Sequence, residues 1–228
     1  MSSRHYVPMA DLTSDMMTDA FSAAHLFVRR VAEADHNARF FNINWNYMPP
    51  AGSSIVHPHL QVNCGEIPTN QYRVQIDACN RYRANNAQSF WEDFMDAERR
   101  KKERFIGEID GTFWVMNFVP QSALPDIWCI FPEYDSLIRL GEKALEGFLD
   151  GLARVLHYFN GEKLYSFNVS LYSERENDAF RLNARICPRL LLREIGNSDH
   201  TYYQHILKEP TSIISPESAC KRLRTFFD

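Results

Sequence analysis

Ala51-Gly52-Ser53-Ser54-Ile55-Val56-His57-Pro58-His59-Leu60-Gln61 is a small-residue loop running into a stretch of alternating polarity. In an extended chain successive side chains point to opposite faces. His57, His59 and Gln61 then share one face, and Pro58, Leu60 and Val62 the other. A neutral imidazole is a nucleophile available near neutral pH. An amide can donate hydrogen bonds to oxygens that gain negative charge. The loop Ala51-Gly52-Ser53-Ser54 can bring backbone N–H groups and hydroxyls close to a phosphate. These parts suit nucleophilic attack on phosphorus. A buried strand with hydrogen-bonded histidines would also carry His-x-His; the Gly-Ser-Ser loop and Gln61 favour the chemical reading.

Upstream, Asp11-Leu-Thr-Ser reads as a helix start. Met17, Phe21, Ala24, Leu26, Phe27, Val31 and Ala32 then recur at helical spacing. Residues 39–46 (RFFNINWN) read as a strand and 48–54 as a loop. Two polar helices are predicted at about 69–85 and 88–102. The basic run at 98–104 lies beside Glu92, Asp93 and Asp96, which makes it a solvated helix face.

From Arg104 the texture changes. Short strands are predicted at 104–109, 112–118 and 126–131, with Asp110-Gly111 as a turn. Residues 140–159 form an amphipathic helix stopped by Asn160-Gly161. Strands follow at 165–172 and 179–187, and Ser215-Pro216-Glu217 opens a last helix.

The chain repeats itself. Phe41-Asn42-Ile43-Asn44 and Phe167-Asn168-Val169-Ser170 are offset by 126 (167 − 41), and each follows a long amphipathic helix. A gap-free repeat pairs His57 with Asn183, His59 with Arg185 and Leu60 with Ile186. The first copy has no strands before its helix: the expectation is either a reduced N-terminal unit or a chain that lacks the beginning of the usual fold.

Composition sets the outer bounds. The 228 residues carry 45% apolar and 24% charged side chains, enough for a core without disulfides. A formal net charge of −4 argues against a dedicated nucleic-acid or anionic-membrane binder. No apolar run approaches the roughly 20 residues that span a bilayer, and residues 1–10 lack a signal pattern. Five scattered cysteines without CxxC read as reduced thiols in a cytoplasmic protein. Trp45, Trp91, Trp114 and Trp128 read as core or interface, and Arg185 either as a contact to a phosphate or a partner subunit or as a salt-bridge partner of Glu174, Glu176 or Asp178.

The stretch Ala51–Gln61 resembles the active-site signature of the galactose-1-phosphate uridylyltransferases, the transferase branch of the histidine-triad (HIT) superfamily. Similarity extends to residues 5–12 before the first helix, to 114–132 and to 216–224, but His57-Pro58-His59-Leu60-Gln61 with its glycine-serine loop is the specific part. The resemblance implies that His59 takes the nucleotidyl group and that Gln61 hydrogen-bonds the transferred phosphoryl oxygens. It places Asn46 and Ser54 around the phosphates, and makes His57 and His5 zinc ligands of the kind found in many members. The CxxC that completes that zinc site has no counterpart here, and neither do the N-terminal strands of the nucleotide pocket, so zinc is not expected at full occupancy. The second-half histidines of some relatives are Asn183 and Arg185. The glycine-tyrosine-glutamate stretch that holds the hexose has no counterpart near Tyr203-Gln204-His205, so galactose is not implied as substrate.

The expected fold is α+β and HIT-like, with duplicated units of antiparallel sheet plus helix, the first partial. The expected division is 1–102, a partial unit with the motif and connecting helices, and 103–228, a fuller unit. The expected function is nucleotidyl transfer between a nucleotide sugar and a sugar phosphate through a nucleotidyl-histidine. His59 and Gln61 are the catalytic candidates; Asn46, Gly52, Ser53, Ser54 and His57 are the substrate-binding ones. The expected partner is a nucleotide or nucleotide sugar, with no nucleic acid and no membrane, and the dimers common among the relatives imply a homodimer. The alternatives are a dinucleoside polyphosphate or nucleotide-sugar phosphorylase or hydrolase, and a binding protein without the N-terminal nucleotide pocket.

Overall fold

Thr13 stands in extended conformation before helix α1 (Ser14–Ala34), and its hydroxyl accepts from the Met16 N–H at 3.4 Å. Such a cap is worth about 1 kcal/mol. Met17, Phe21, Ala24, Val28 and Ala32 form the buried stripe of α1; Leu26 and Phe27, expected on it, are exposed, because the strict 3.6-residue period selects Val28 after Phe21 and Ala24. The chain continues through strands β1 (Phe40–Tyr47) and β2 (Gln61–Gly65). Helices α2 (Asn70–Asn86) and α3 (Phe90–Lys101) follow. Next come β3 (Phe105–Ile109), β4 (Thr112–Met116) and β5 (Ile127–Ile130). Helix α4 (Glu142–Gly161) leads to β6 (Ser166–Glu174) and β7 (Asn183–Arg189). One turn of helix, α5 (Tyr202–His205), and α6 (Pro216–Arg224) close the chain. The computed structural model describes residues 3–191, 199 and 201–228.

The seven strands form one antiparallel sheet in the order β2-β1-β6-β7-β5-β4-β3. Strands from 1–102 and from 103–228 meet at the β1–β6 pair within that sheet. Asp110 and Gly111 both take positive φ, 40° and 83°, as a two-residue hairpin between right-twisted strands requires.

The two sheet faces differ. Phe41, Ile43, Trp45 and Tyr47 of β1 pack into the main core with α1, α4 and α6. Phe21 of α1 meets Phe148 of α4 edge to face at 5.6 Å and Trp45 at 6.5 Å. Burying each such ring contributes about 1.5–3 kcal/mol. Gly151 lets α4 approach the sheet: a Cβ there would lie 2.2 Å from the Trp114 ring. On the opposite face α2 and α3 cover β4, β5 and β7 through Tyr72, Trp91, Phe94, Phe113 and Trp128. The β2–β1–β6 part of that face carries amides and hydroxyls instead, among them Asn44, Asn46, Asn168 and Ser170.

The repeat is real in architecture but not gap-free. Asn44 faces Gln61 across β1 and β2, and Ser170, 126 positions on, faces Arg185 across β6 and β7. Arg185 is therefore the counterpart of Gln61, at an offset of 124 (185 − 61). Continuing the count, Asn183 rather than Arg185 is the counterpart of His59. The β6–β7 connection is two residues shorter than the β1–β2 connection, and periodicity alone does not register that difference.

Candidate active site

The site begins where β1 ends. Met48 takes φ 70°, Pro49–Ala51 make one turn of 3-10 helix, and Gly52 takes φ 84°. That left-handed conformation carries no penalty for glycine. Within this turn the Gly52 N–H donates to Pro49 O at 2.9 Å and the Ser53 N–H to Met48 O at 3.4 Å. The buried Ser53 hydroxyl donates to Ile55 O at 2.5 Å. Gly52 and Ser53 therefore shape the loop, and Ser54 stands exposed at its surface.

His57 to Leu60 are not strand; β2 begins only at Gln61. The alternation holds from Leu60 to Cys64. Leu60, Val62 and Cys64 pack on the main core, while Gln61 and Asn63 are exposed on the polar face. The half-buried His59 ring has Nδ1 2.9 Å from the backbone oxygen of His57. A carbonyl only accepts, so Nδ1 carries the proton, and in the neutral ring Nε2 carries the lone pair. The chain thus fixes the tautomer and orientation of His59 through the carbonyl two residues before it.

Behind the loop lies an amide network that sequence reading assigned only in part. Asn168 on β6 donates through Nδ2 to Asn46 Oδ1 and to Ala51 O, both at 2.8 Å. Its Oδ1 accepts from Arg189 Nη1 at 3.3 Å. Arg189 is itself clamped by Asp199, with Nε 3.0 Å from both carboxylate oxygens. Burial alone would raise the Asp199 carboxyl, but the bonds from Arg189 and the Leu190 N–H outweigh it and hold it below the ordinary value. Sequence analysis missed Asn168 and Arg189. Asn168 stood inside the repeated motif, and continuing the alternation Asn183, Arg185, Cys187 by one step reaches Arg189.

His5 and His57 come together, with ring centroids 5.9 Å apart. With Tyr6, Ile55 and Val56 they line an open groove of about 430 Å³, to which His59 and Gln61 do not contribute. No group of three or more His, Cys, Asp or Glu placed to hold a metal occurs among the described residues. Two imidazoles supply half of the ligands of a closed tetrahedral zinc site, so this pair does not fit such a site by itself.

Arg185 is not paired as the sequence suggested. Its Nε lies 3.2 Å from Asp126 Oδ2, with both side chains buried, whereas Glu174 pairs with Arg39 at 3.5 Å. The pairing of β7 with β5 sets Arg185 opposite Trp128, and Asp126 immediately precedes that strand. All four tryptophans are buried, and Cys79, Cys129 and Cys220 are buried free thiols. Among the described residues no helix is long and apolar enough to cross a membrane.

No protein-family profile matches the chain. An uncharacterized protein of Archaeoglobus fulgidus is 30% identical over 226 residues, covering 98% of this chain. The chain spans 66% of that relative's length. Among solved structures, a uridylyltransferase superposes with a TM-score of 0.84 at 16% identity, over 99% of this chain and 72% of the other. An ADP-glucose phosphorylase from Arabidopsis thaliana, solved with bound ADP-glucose, gives 0.80 at 16% identity over 98% and 69%. A GalT-like protein from the same plant gives 0.79 over 98% and 72%.

Proposed function

The chain has the fold of GalT-like proteins of the histidine-triad superfamily, and from that premise we propose that it transfers a nucleoside monophosphate through a covalent nucleotidyl-histidine at His59. The observation that carries this reading is the 2.9 Å contact between His59 Nδ1 and His57 O. It holds the ring through Nδ1 and leaves Nε2 as the candidate nucleophile.

In the first step Nε2 attacks the α-phosphorus of a nucleotide sugar. A P–N bond forms, the bond from the α-phosphorus to the bridging oxygen breaks, and the sugar phosphate leaves with the electron pair. The ring retains its Nδ1 proton, and the His57 carbonyl stabilises the positive charge that results. In the second step an oxygen of an acceptor phosphate attacks the same phosphorus, and the lone pair returns to Nε2. A sugar phosphate as acceptor makes the reaction a transferase; inorganic phosphate makes it a phosphorylase. The structural neighbours include one of each kind, a uridylyltransferase and an ADP-glucose phosphorylase.

Gln61 would donate to the phosphoryl oxygens. Ser54 and Asn46 would border the phosphates, with Asn168 holding Asn46 and Ala51 in position. Gly52 and Ser53 would keep the shape of the loop. His57 supplies the orienting carbonyl, and His5 and His57 alone do not complete a zinc site, so a full-occupancy zinc is no part of the proposal. Incubation with a panel of nucleotide sugars and dinucleotides, followed by intact-mass measurement, tests it. An adduct of one nucleoside monophosphate per chain supports transfer; its absence with every donor leaves the binding-protein reading.

A further inference from the structure

A second cavity lies under helices α2 and α3, on the covered half of the same sheet face. It measures about 540 Å³ and is lined by Phe90, Trp91, Phe118, Trp128, Gln75 and Arg185, among others. Four polar atoms of these side chains are shielded from solvent without a hydrogen-bond partner: Gln75 Oε1, Trp91 Nε1, Trp128 Nε1 and Arg185 Nε. Native folds leave few such atoms unpaired. Here one acceptor and three donors belong to the lining of one cavity. Asp126 does not complete Arg185: its Oδ1 accepts from the Gln121 N–H at 2.8 Å and its Oδ2 from Asn117 Nδ2 at 2.9 Å. Arg185 Nε reaches Oδ2 at 3.2 Å as a charge pair without hydrogen-bond geometry.

We propose that this cavity binds a nucleobase, separately from the chemistry at His59. Its volume falls within the range of small-molecule sites. Its aromatic walls suit a flat π-face, and the Arg185 guanidinium already lies 5.0 Å from the Trp128 ring centre. The Arg185 charge is balanced by buried Asp126, so the site favours a neutral ligand over an anion. An aliphatic ligand would leave all four polar atoms unpaired. A purine or pyrimidine offers ring acceptors to Trp128 and Arg185 and an amino or imino donor to Gln75. The position is also the counterpart of the His59 region in the repeat, since Arg185 matches Gln61. Three strand spacings, about 14 Å, separate those two residues.

Tryptophan emission titrated with adenosine, guanosine, uridine and cytidine, and with their monophosphates, tests this. At least one nucleoside is expected to quench saturably at one per chain, with the phosphate adding little. Ala78→Phe, an exposed cavity-lining position, should weaken that binding by about tenfold or more. Gln75→Leu should weaken it by about tenfold while leaving the melting temperature equal or higher, because it removes an unpaired acceptor. If Ala78→Phe fails to fold, Gln75→Leu decides. No saturable binding up to about millimolar nucleoside, or binding unchanged in the folded variants, overturns the proposal. Formation of the His59 adduct is read separately, so either result stands without the other.

Discussion

Asn44 and Ser170 face each other across the β1–β6 pair, the Ser170 hydroxyl donating to the Asn44 side chain, and they are also counterparts in the repeat. Antiparallel pairing sets position i opposite 214 − i, and the repeat maps i onto i + 126; both operations meet only at 44 and 170. A local two-fold axis therefore passes between these residues, and the halves have diverged around it. On one side lie His59 and Gln61; on the other lie Asn183 and Arg185, under α2 and α3.

Divergence turned Arg185 into a structural cation. Arg185→Ala should destabilise the fold by about 3–5 kcal/mol, because Asp126 would remain buried without its counter-charge. Adding Asp126→Asn should recover a large part of the loss. Urea denaturation of the two single variants and the double variant measures the coupling; additive losses would show that the pair does not act as a unit.

Gly151→Ala should destabilise by about 1–3 kcal/mol through overpacking. The added methyl would overlap Trp114, which is stacked on Phe148 and bonded to Thr112 Oγ1 at 2.9 Å. A thermal melt within error of the parent would contradict the close contact of α4 with the sheet.

His25 projects from α1 with Nε2 2.7 Å from the Leu137 backbone oxygen. Burial pushes its pKa below the ordinary 6.5; the bond to Leu137 opposes this and Arg29 adds to it. The folded chain then binds a proton less readily than the unfolded chain. This group's stability contribution is full above about pH 6.5 and declines as pH falls below it. His25→Gln should show a smaller stability loss than the parent between about pH 7.5 and 5.5. An identical loss in both proteins would remove His25 from the account.

Much of this was legible in the sequence because periodicity reports burial. The α1 helix, the β1 alternation and the Asp110-Gly111 turn each followed from local rules, although Leu26 and Phe27 of the expected α1 stripe are exposed. What escaped depends on chain elements meeting. The carbonyl orienting His59 belongs to a segment that is not strand. Asn168 gains its role only from the β1–β6 register. Asp126, the partner of Arg185, precedes a strand that becomes adjacent to β7 only in the folded sheet. The two-residue shift between repeats lies in a connection with no periodic signal.

Asn168 is a positioning residue in this account. Asn168→Ala should cost about 1–2 kcal/mol in stability, and at saturating donor should slow adduct formation by about tenfold. Unchanged adduct kinetics at saturation would confine Asn168 to a structural role.

The central claim is tested most directly by the mass of the protein after incubation with donor nucleotides. The account predicts a nucleotidyl adduct on His59 that is lost in acid and survives base, as a phosphorus–nitrogen bond to imidazole does. His59→Asn should abolish it, because an amide nitrogen is not nucleophilic, and Gln61→Ala should slow its formation by roughly 10²–10³. An adduct that persists in His59→Asn, or one that resists acid and yields to base, would contradict the assignment.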